Sequence, residues 1–181
     1  MRALCGGNMS IHHHLARGMI REGIIWGEFW VAQEDDKLLG FMTWTPPGAE
    51  PAIPKDERAK LNAPFTDALS EEARAYNRHT MGEVFPEFVA QCIGPTGKHD
   101  GWWLRTAMVR CGHQGKGIAR KLFEPVRQKA NRHLQSSPGA LPTDRRVAIY
   151  KALGFELRGF RMVPSLWGEW PLYVFYQKPK L

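Results

Sequence analysis

The segment from Arg110 to Arg120 combines glycines, a lysine and arginines in a pattern that could bind an anion. Glycines at positions 115 and 117 let the backbone approach a ligand closely. A helix begins directly after them, and the first N–H groups of a helix have no partner within it. The helix dipole favours negative charge at the same place, so a pyrophosphate fits this turn.

Two other glycine-rich phosphate motifs are excluded by single residues. A Walker loop counted from Gly112 would need lysine at position 118, where the chain has Ile118. The dinucleotide pattern G-x-G-x-x-G would begin at Gly115, but its third glycine falls on Arg120. No second strand with an acidic end follows at the usual distance. The turn therefore belongs to neither class.

A strand and a helix flank the turn. The apolar run Trp102–Val109 predicts a buried strand, and helical spacing of apolar residues extends from Gly117 to about Ala130. Pro125 lies inside that helix and predicts a kink or an early end. These elements place the turn between the end of a strand and the beginning of a helix.

The rest of the chain alternates helical and strand patterns. The segment Lys55 to Arg78 has helix formers but a weak apolar stripe, which predicts a loop with helical stretches lying over a site. Thr143 or Asp144 could cap a short helix that ends at Gly154. The other predicted elements are a helix at Ile11–Glu22, a hairpin of Glu28–Ala32 with Leu38–Trp44, a helix at Val147–Leu153, and strands at Phe155–Val163 and Leu172–Gln177.

Composition limits the class of protein. The 181 residues are 43% hydrophobic, which predicts one domain spanning 1–181. No apolar run has the roughly 18 residues of a membrane span, so we expect a soluble protein without a membrane partner. Three scattered cysteines predict a reducing compartment, most simply the cytoplasm.

The net charge of +7 makes an anionic partner plausible. Nucleic acid is not expected, because the sequence has no helix-turn-helix, zinc-ligand or RNA-binding aromatic signature. The adjacent histidines His12, His13 and His14 point about 100° apart on a helix and cannot share one ion, so no metal is expected.

Two segments together resemble the GNAT superfamily of acetyltransferases. Gln114–Ala119 is similar to that superfamily's acetyl-CoA turn, Q/R-x-x-G-x-G/A, and follows a strand that ends in Ala107-Met108-Val109. Arg146–Phe155 resembles its second signature, a short helix with a tyrosine followed by K-x-x-G-F. The resemblance covers roughly residues 11 to 178. It implies an α/β (α+β) fold in which helices flank a mixed central sheet, splayed at the acetyl-CoA cleft.

The resemblance implies an N-acetyltransferase that moves the acetyl group of acetyl-CoA, its co-substrate, to a small-molecule or peptide amine by direct attack. Tyr150 would lie near the thioester sulfur and could supply a proton to the departing thiolate. The N–H of Val109 would stabilise the oxyanion, and Met108 and Val109 would pair with the pantetheine arm. The pyrophosphate would be held by the backbone of Gln114, Gly115, Lys116, Gly117, Ile118 and Ala119.

Several residues depart from the superfamily pattern. The strand before the turn has Arg105 and Thr106 where a carboxylate base is often found. Glu169 and Glu83 are the carboxylates that we predict as the base instead. Arg146 stands where many members have asparagine and could reach a CoA phosphate.

Other departures concern the sheet and leave a second function open. The strand expected before Asp144 is very short, or the cleft is altered, and the residues before Ser10 leave no room for the usual first strand, as though the chain were truncated. A catalytically silent GNAT-fold protein that binds CoA therefore remains an alternative. The oligomeric state, monomer or homodimer, is left open.

Overall fold

The computed structural model describes residues 1–49, 54–141 and 146–179. A short 3-10 turn at Met9–Ile11 precedes the first helix, and a π-helical turn at Thr80–Val84 joins the third helix to the fourth. The remaining elements, in chain order, are α1 (His12–Trp26), β1 (Glu28–Glu34), β2 (Lys37–Thr45), α2 (Lys55–Thr66), α3 (Glu71–His79), α4 (Phe85–Ile93), β3 (Trp103–Val109), α5 (Ile118–Arg132), β4 (Ser137–Leu141), α6 (Val147–Ala152), β5 (Glu156–Val163) and β6 (Trp170–Gln177).

The strands form one mixed sheet in the order β1-β2-β3-β4-β6-β5. All neighbours are antiparallel except β3 and β4, which run parallel. These two strands share a single residue pair, Leu104 with Gly139, next to a hydrogen bond from Trp102 N–H to Ser136 O of 2.8 Å. Beyond Leu104 the strands separate towards their carboxyl ends, and the sheet is splayed at its centre.

Helices cover both faces of the sheet. On one face α5 packs through Leu122, Phe123 and Val126 against β2, β3 and β6 in the largest apolar core. On the other face α1 lies over β2 and β3, while α4 packs through Val89 against Trp103 and Val174. Consecutive strand residues point to opposite faces, which is why Trp103 and Leu104 belong to different cores.

The mixed, helix-flanked and splayed sheet predicted from the sequence is confirmed. The hairpin, the buried strand before the turn, the short helix before Gly154 and the last two strands are all present. The short strand expected before residue 144 spans only Ser137–Leu141. The proposed cap residues Thr143 and Asp144 lie outside the described residues.

Two expectations about helices need correction. Pro125 does not end α5, which runs on to Arg132 because Val126 and Ala130 are buried in the core. The segment 55–78 consists mainly of two regular helices, α2 and α3, instead of a loop with helical stretches. Ser70 caps α3 by accepting a hydrogen bond from Ala73 N–H at 3.3 Å.

No helix in the described part of the chain is long and apolar enough to span a membrane.

Candidate functional site

The turn between β3 and α5 depends on two glycines with positive φ. A 3-10 turn at Cys111–His113 leads to Gly115 (φ +77°) and Gly117 (φ +76°), and Gly117 is the residue that precedes the first turn of α5. Side chains with a Cβ rarely adopt this conformation. A Cβ at either glycine would meet no protein atom within 4 Å, so the backbone conformation, not crowding, requires glycine here.

The amino end of α5 offers backbone donors. The first turn of the helix is closed by Lys121 N–H donating to Gly117 O at 3.1 Å. The N–H groups of Ile118, Ala119 and Arg120 precede this bond and have no partner in the helix. No acidic residue lies in this first turn. The partial positive charge of the helix end is therefore not neutralised by a local carboxylate.

Basic side chains surround the same turn. Arg120 donates to Ala152 O at 3.3 Å, which ties the start of α5 to the end of α6. Arg146 lies at the amino end of α6 and is exposed. The other exposed basic residues of the turn and the first helical turn are Arg110, Lys116 and Lys121. A ligand at this turn would meet a positive potential.

The backbone N–H and C=O of Val109 point away from β2, to the edge of β3 on the side of β4. Arg110 N–H donates to Leu39 O at 2.8 Å, so by alternation Met108 also directs its backbone to β2, and Val109 directs its own to the opposite edge. The Gln114 side chain confirms this direction, because its Nε2 donates to Val109 O at 3.0 Å. Of the two residues expected to pair with pantetheine, Val109 thus has its backbone at an edge of β3 where no described strand pairs with it, and Met108 offers a half-exposed side chain.

Tyr150 is buried in the α5-facing core. Only 5% of its surface is exposed, and its ring lies 5.3 Å from that of Phe155 and 5.2 Å from that of Phe175, measured between centroids. Burial raises the pKa of the Tyr150 phenol well above its usual range, and the nearby positive charge of Arg146 offsets part of the rise. The phenol is therefore neutral at physiological pH and can donate a hydrogen bond.

The two carboxylates predicted as the base lie on other elements of the structure. Glu83 is exposed on the π-helical turn and its Oε2 is 3.0 Å from His79 Nδ1. Glu169 is exposed and precedes Trp170, whose indole donates to the Tyr76 hydroxyl at 2.8 Å. Within the described residues neither carboxylate has a hydrogen bond or ion pair to β3, the glycine turn or α6.

One buried carboxylate was missed by the sequence reasoning. Glu22 of α1 is 7% exposed and is bound by Arg105 of β3 and by Asn62 of α2. The available signal was Arg105 itself, because a guanidinium in a buried strand requires an acidic partner. Glu22 thus brings a carboxylate against β3, where the strand itself has Arg105 and Thr106.

The turn adjoins both the edge of β3 and the helix α6, through the hydrogen bonds of Gln114 to Val109 and of Arg120 to Ala152. Backbone donors and basic side chains are gathered at the turn, and Tyr150 of α6 lies in the core beside them. Among the described residues no three His, Cys, Asp or Glu side chains are grouped as a metal site.

Comparisons with known proteins support the fold. No family model matches the sequence, and no curated protein matches it. Solved structures do match. One is the histone acetyltransferase HPA2 and related acetyltransferase from Corynebacterium glutamicum, with 17% identity and a TM-score of 0.58 over 96% of this chain and 76% of that one.

Two further structures are similar at lower identity. A Bacillus subtilis acetyltransferase in complex with CoA has 10% identity and a TM-score of 0.52 over 96% of this chain and 93% of that chain. A putative acetyltransferase of the GNAT family from Desulfovibrio desulfuricans has 12% identity and a TM-score of 0.50 over 92% and 77%. The chain has the GNAT fold, as its two motifs predicted.

Proposed function

We propose that this GNAT-fold chain is an N-acetyltransferase that transfers the acetyl group of acetyl-CoA to an amine. The observation that carries the proposal is the turn at the head of α5, where Gly115 and Gly117 have positive φ and the first N–H groups of the helix are free of intrahelical bonds. That turn opens onto the place where β3 and β4 separate. A diphosphate at the turn would direct the rest of a CoA molecule between the strands.

The residues present suit each part of acetyl-CoA. The backbone from Gln114 to Ala119 would bind the pyrophosphate, with Lys116 adding charge and Arg146 reaching a phosphate. The free edge of Val109 would hydrogen-bond the amides of the pantetheine arm, and the exposed side chain of Met108 would pack against it. Gln114 Nε2 donates to the carbonyl oxygen of Val109. The Gln114 side chain would therefore have to move for the pantetheine arm to bind there.

The chemistry follows from the same placement. The neutral amine attacks the thioester carbon, the carbonyl oxygen becomes an oxyanion, and the N–H of Val109 stabilises it. The C–S bond then breaks, and the thiolate takes a proton from Tyr150. The nitrogen loses one proton in forming the amide, which balances the one gained by sulfur. The raised pKa keeps the Tyr150 phenol protonated before the reaction, and the proton that nitrogen loses restores it afterwards.

The base stays a prediction. Glu83 and Glu169 are both exposed and would act on the amine through water. Glu83→Gln and Glu169→Gln test them separately. The variant that removes the true base should have a kcat/KM about 10²-fold lower. The loss should be greatest at pH values where the amine is mostly protonated.

Binding and turnover together test the proposed function. Calorimetry should detect acetyl-CoA at concentrations of a millimolar or below, and a thiol reagent should detect CoA release with some members of an amine panel. Tyr150→Phe should lower kcat by about 10²-fold with little change in acetyl-CoA affinity. Absence of acetyl-CoA binding would refute the proposal. Binding without CoA release from any amine would favour the silent CoA-binding alternative.

A further inference from the structure

A cluster of charged and polar side chains is enclosed between α1, α2 and β3. It consists of Glu22, Arg58, Asn62 and Arg105, and we call it the Glu22 cluster. Both carboxylate oxygens of Glu22 are engaged: Oε1 accepts from Asn62 Nδ2 at 2.6 Å, and Oε2 accepts from Arg105. The second nitrogen of Arg105 donates to Thr45 Oγ1 at 3.4 Å.

The cluster has one positive charge more than its carboxylate can neutralise. Arg58 Nε lies 3.8 Å from Glu22 Oε2, which is an ion-pair distance but too long for a hydrogen bond. Arg58 Nε and Nη2 are buried and have no hydrogen-bond partner among the described residues. These two nitrogens form one edge of the guanidinium, the edge that pairs with a carboxylate through two parallel hydrogen bonds. Leaving buried charged donors unpaired is costly, so an acidic ligand is their chemical complement.

The cluster lies beside the residue pair at which β3 and β4 begin to separate. Arg105 directly follows Leu104, the residue that pairs with Gly139 where β3 and β4 begin to separate. The next residue, Thr106, has a buried hydroxyl without a described partner, and so does Thr43, its neighbour across the strands. The side chains of Arg58 and Arg105 are 34% and 20% exposed, so the cluster can be reached from solvent past them.

We propose that Arg58 binds the carboxylate of the amine acceptor, with Arg105 and Glu22 as positioning residues. The inference rests on the proposed function, because it identifies the acceptor class: amino acids, or amines that carry an acid group. A cofactor entering from the glycine turn and an acceptor entering past α2 would meet where the strands diverge. A rotation of the Arg58 side chain would turn its Nε and Nη2 towards the carboxylate of the acceptor.

Direct binding to the whole chain tests the inference without relying on turnover. The probes are glycine and phenylalanine, each paired with its carboxamide, titrated by calorimetry in the presence of CoA. We expect each acid to bind about tenfold or more tightly than its amide. Arg58→Gln should remove that preference, and Arg58→Lys should retain part of it because lysine keeps the charge but loses the two-nitrogen edge.

The matched control is Lys60→Gln, which removes one positive charge from the same helix at a side chain that is 79% exposed. It should keep the full preference for acids. Equal binding of acid and amide to the unaltered protein would overturn the inference, as would an Arg58→Gln protein that keeps the preference.

A parallel assay of CoA release separates the two proposals. Release with acids and amides at equal efficiency refutes only the carboxylate site. Acid-dependent binding without CoA release from any amine of the panel supports the carboxylate site and favours the silent CoA-binding alternative over acetyl transfer.

Discussion

Replacing Gly117 by alanine tests the physical basis of the proposed cofactor turn. Gly117 has φ +76°, and a left-handed conformation costs a residue with a Cβ about 1–2 kcal/mol. For a domain of this size that corresponds to a fall in Tm of roughly 2–4 °C per kcal/mol. A new Cβ would not clash with the protein, since no protein atom lies within 4 Å of its position. The stability loss should therefore stay modest.

The effect on acetyl-CoA binding should be larger than this strain alone explains. If the backbone relaxes to negative φ, the N–H groups at the start of α5 turn away from the ligand, and if it does not, the methyl group faces the diphosphate. Either way we expect affinity to fall about tenfold or more, equivalent to about 1.4 kcal/mol. Calorimetry with acetyl-CoA and thermal unfolding of the free protein measure the two effects separately.

Gly112→Ala is the matched control. Gly112 lies in the same turn, its φ is not positive, and a Cβ there would also meet no protein atom within 4 Å. This variant should change neither Tm nor affinity appreciably. The reasoning would be refuted if Gly117→Ala bound acetyl-CoA like the unaltered chain, or if both variants lost affinity equally.

Three further predictions concern the core and its ionisable groups. Because burial raises the pKa of Tyr150, its contribution to stability is complete below about pH 10 and is lost as pH rises further; urea unfolding should show a weaker alkaline decline in Tyr150→Phe. Glu22→Gln leaves two guanidinium groups without their carboxylate and should lower the free energy of unfolding by about 3 kcal/mol, whereas a change under 1 kcal/mol would contradict the buried pairing. Gly159→Ala would overlap Cys92 Sγ and should cost about 1–3 kcal/mol, most of which Cys92→Ala in the same chain should restore; denaturant unfolding of the single and double variants decides this.

Periodicity and turn chemistry were sufficient to predict most of the fold. Strand β3 was predictable because its residues form a nearly continuous apolar run, and the start of α5 because glycine precedes a helical apolar stripe. Gly154, with φ +94°, ends the short helix α6 as expected of a helix-terminating glycine. These signals are local, and each depends on a few neighbouring residues.

Features that depend on tertiary packing were not predictable in the same way. A proline inside a helix costs about 3 kcal/mol, and only burial of Val126 and Ala130 on the sheet explains why α5 continues past Pro125. The Glu22 cluster joins residues 40 and 83 positions apart in the chain, so nothing near Glu22 indicates its partners. Tyr150 was predicted by motif, but its burial depends on rings from β5 and β6.

The single pair between Leu104 and Gly139 divides the sheet into two leaves, one of β1 to β3 and one of β4 to β6. Among the described residues few backbone hydrogen bonds join the two leaves, so their spacing is set mainly by the side chains packed on the two faces of the sheet. A ligand bound in an extended conformation between the leaves would add hydrogen bonds that the two strands do not make to each other. It should slow hydrogen exchange on both leaves at once. Binding of a ligand there would therefore make both leaves of the sheet more rigid.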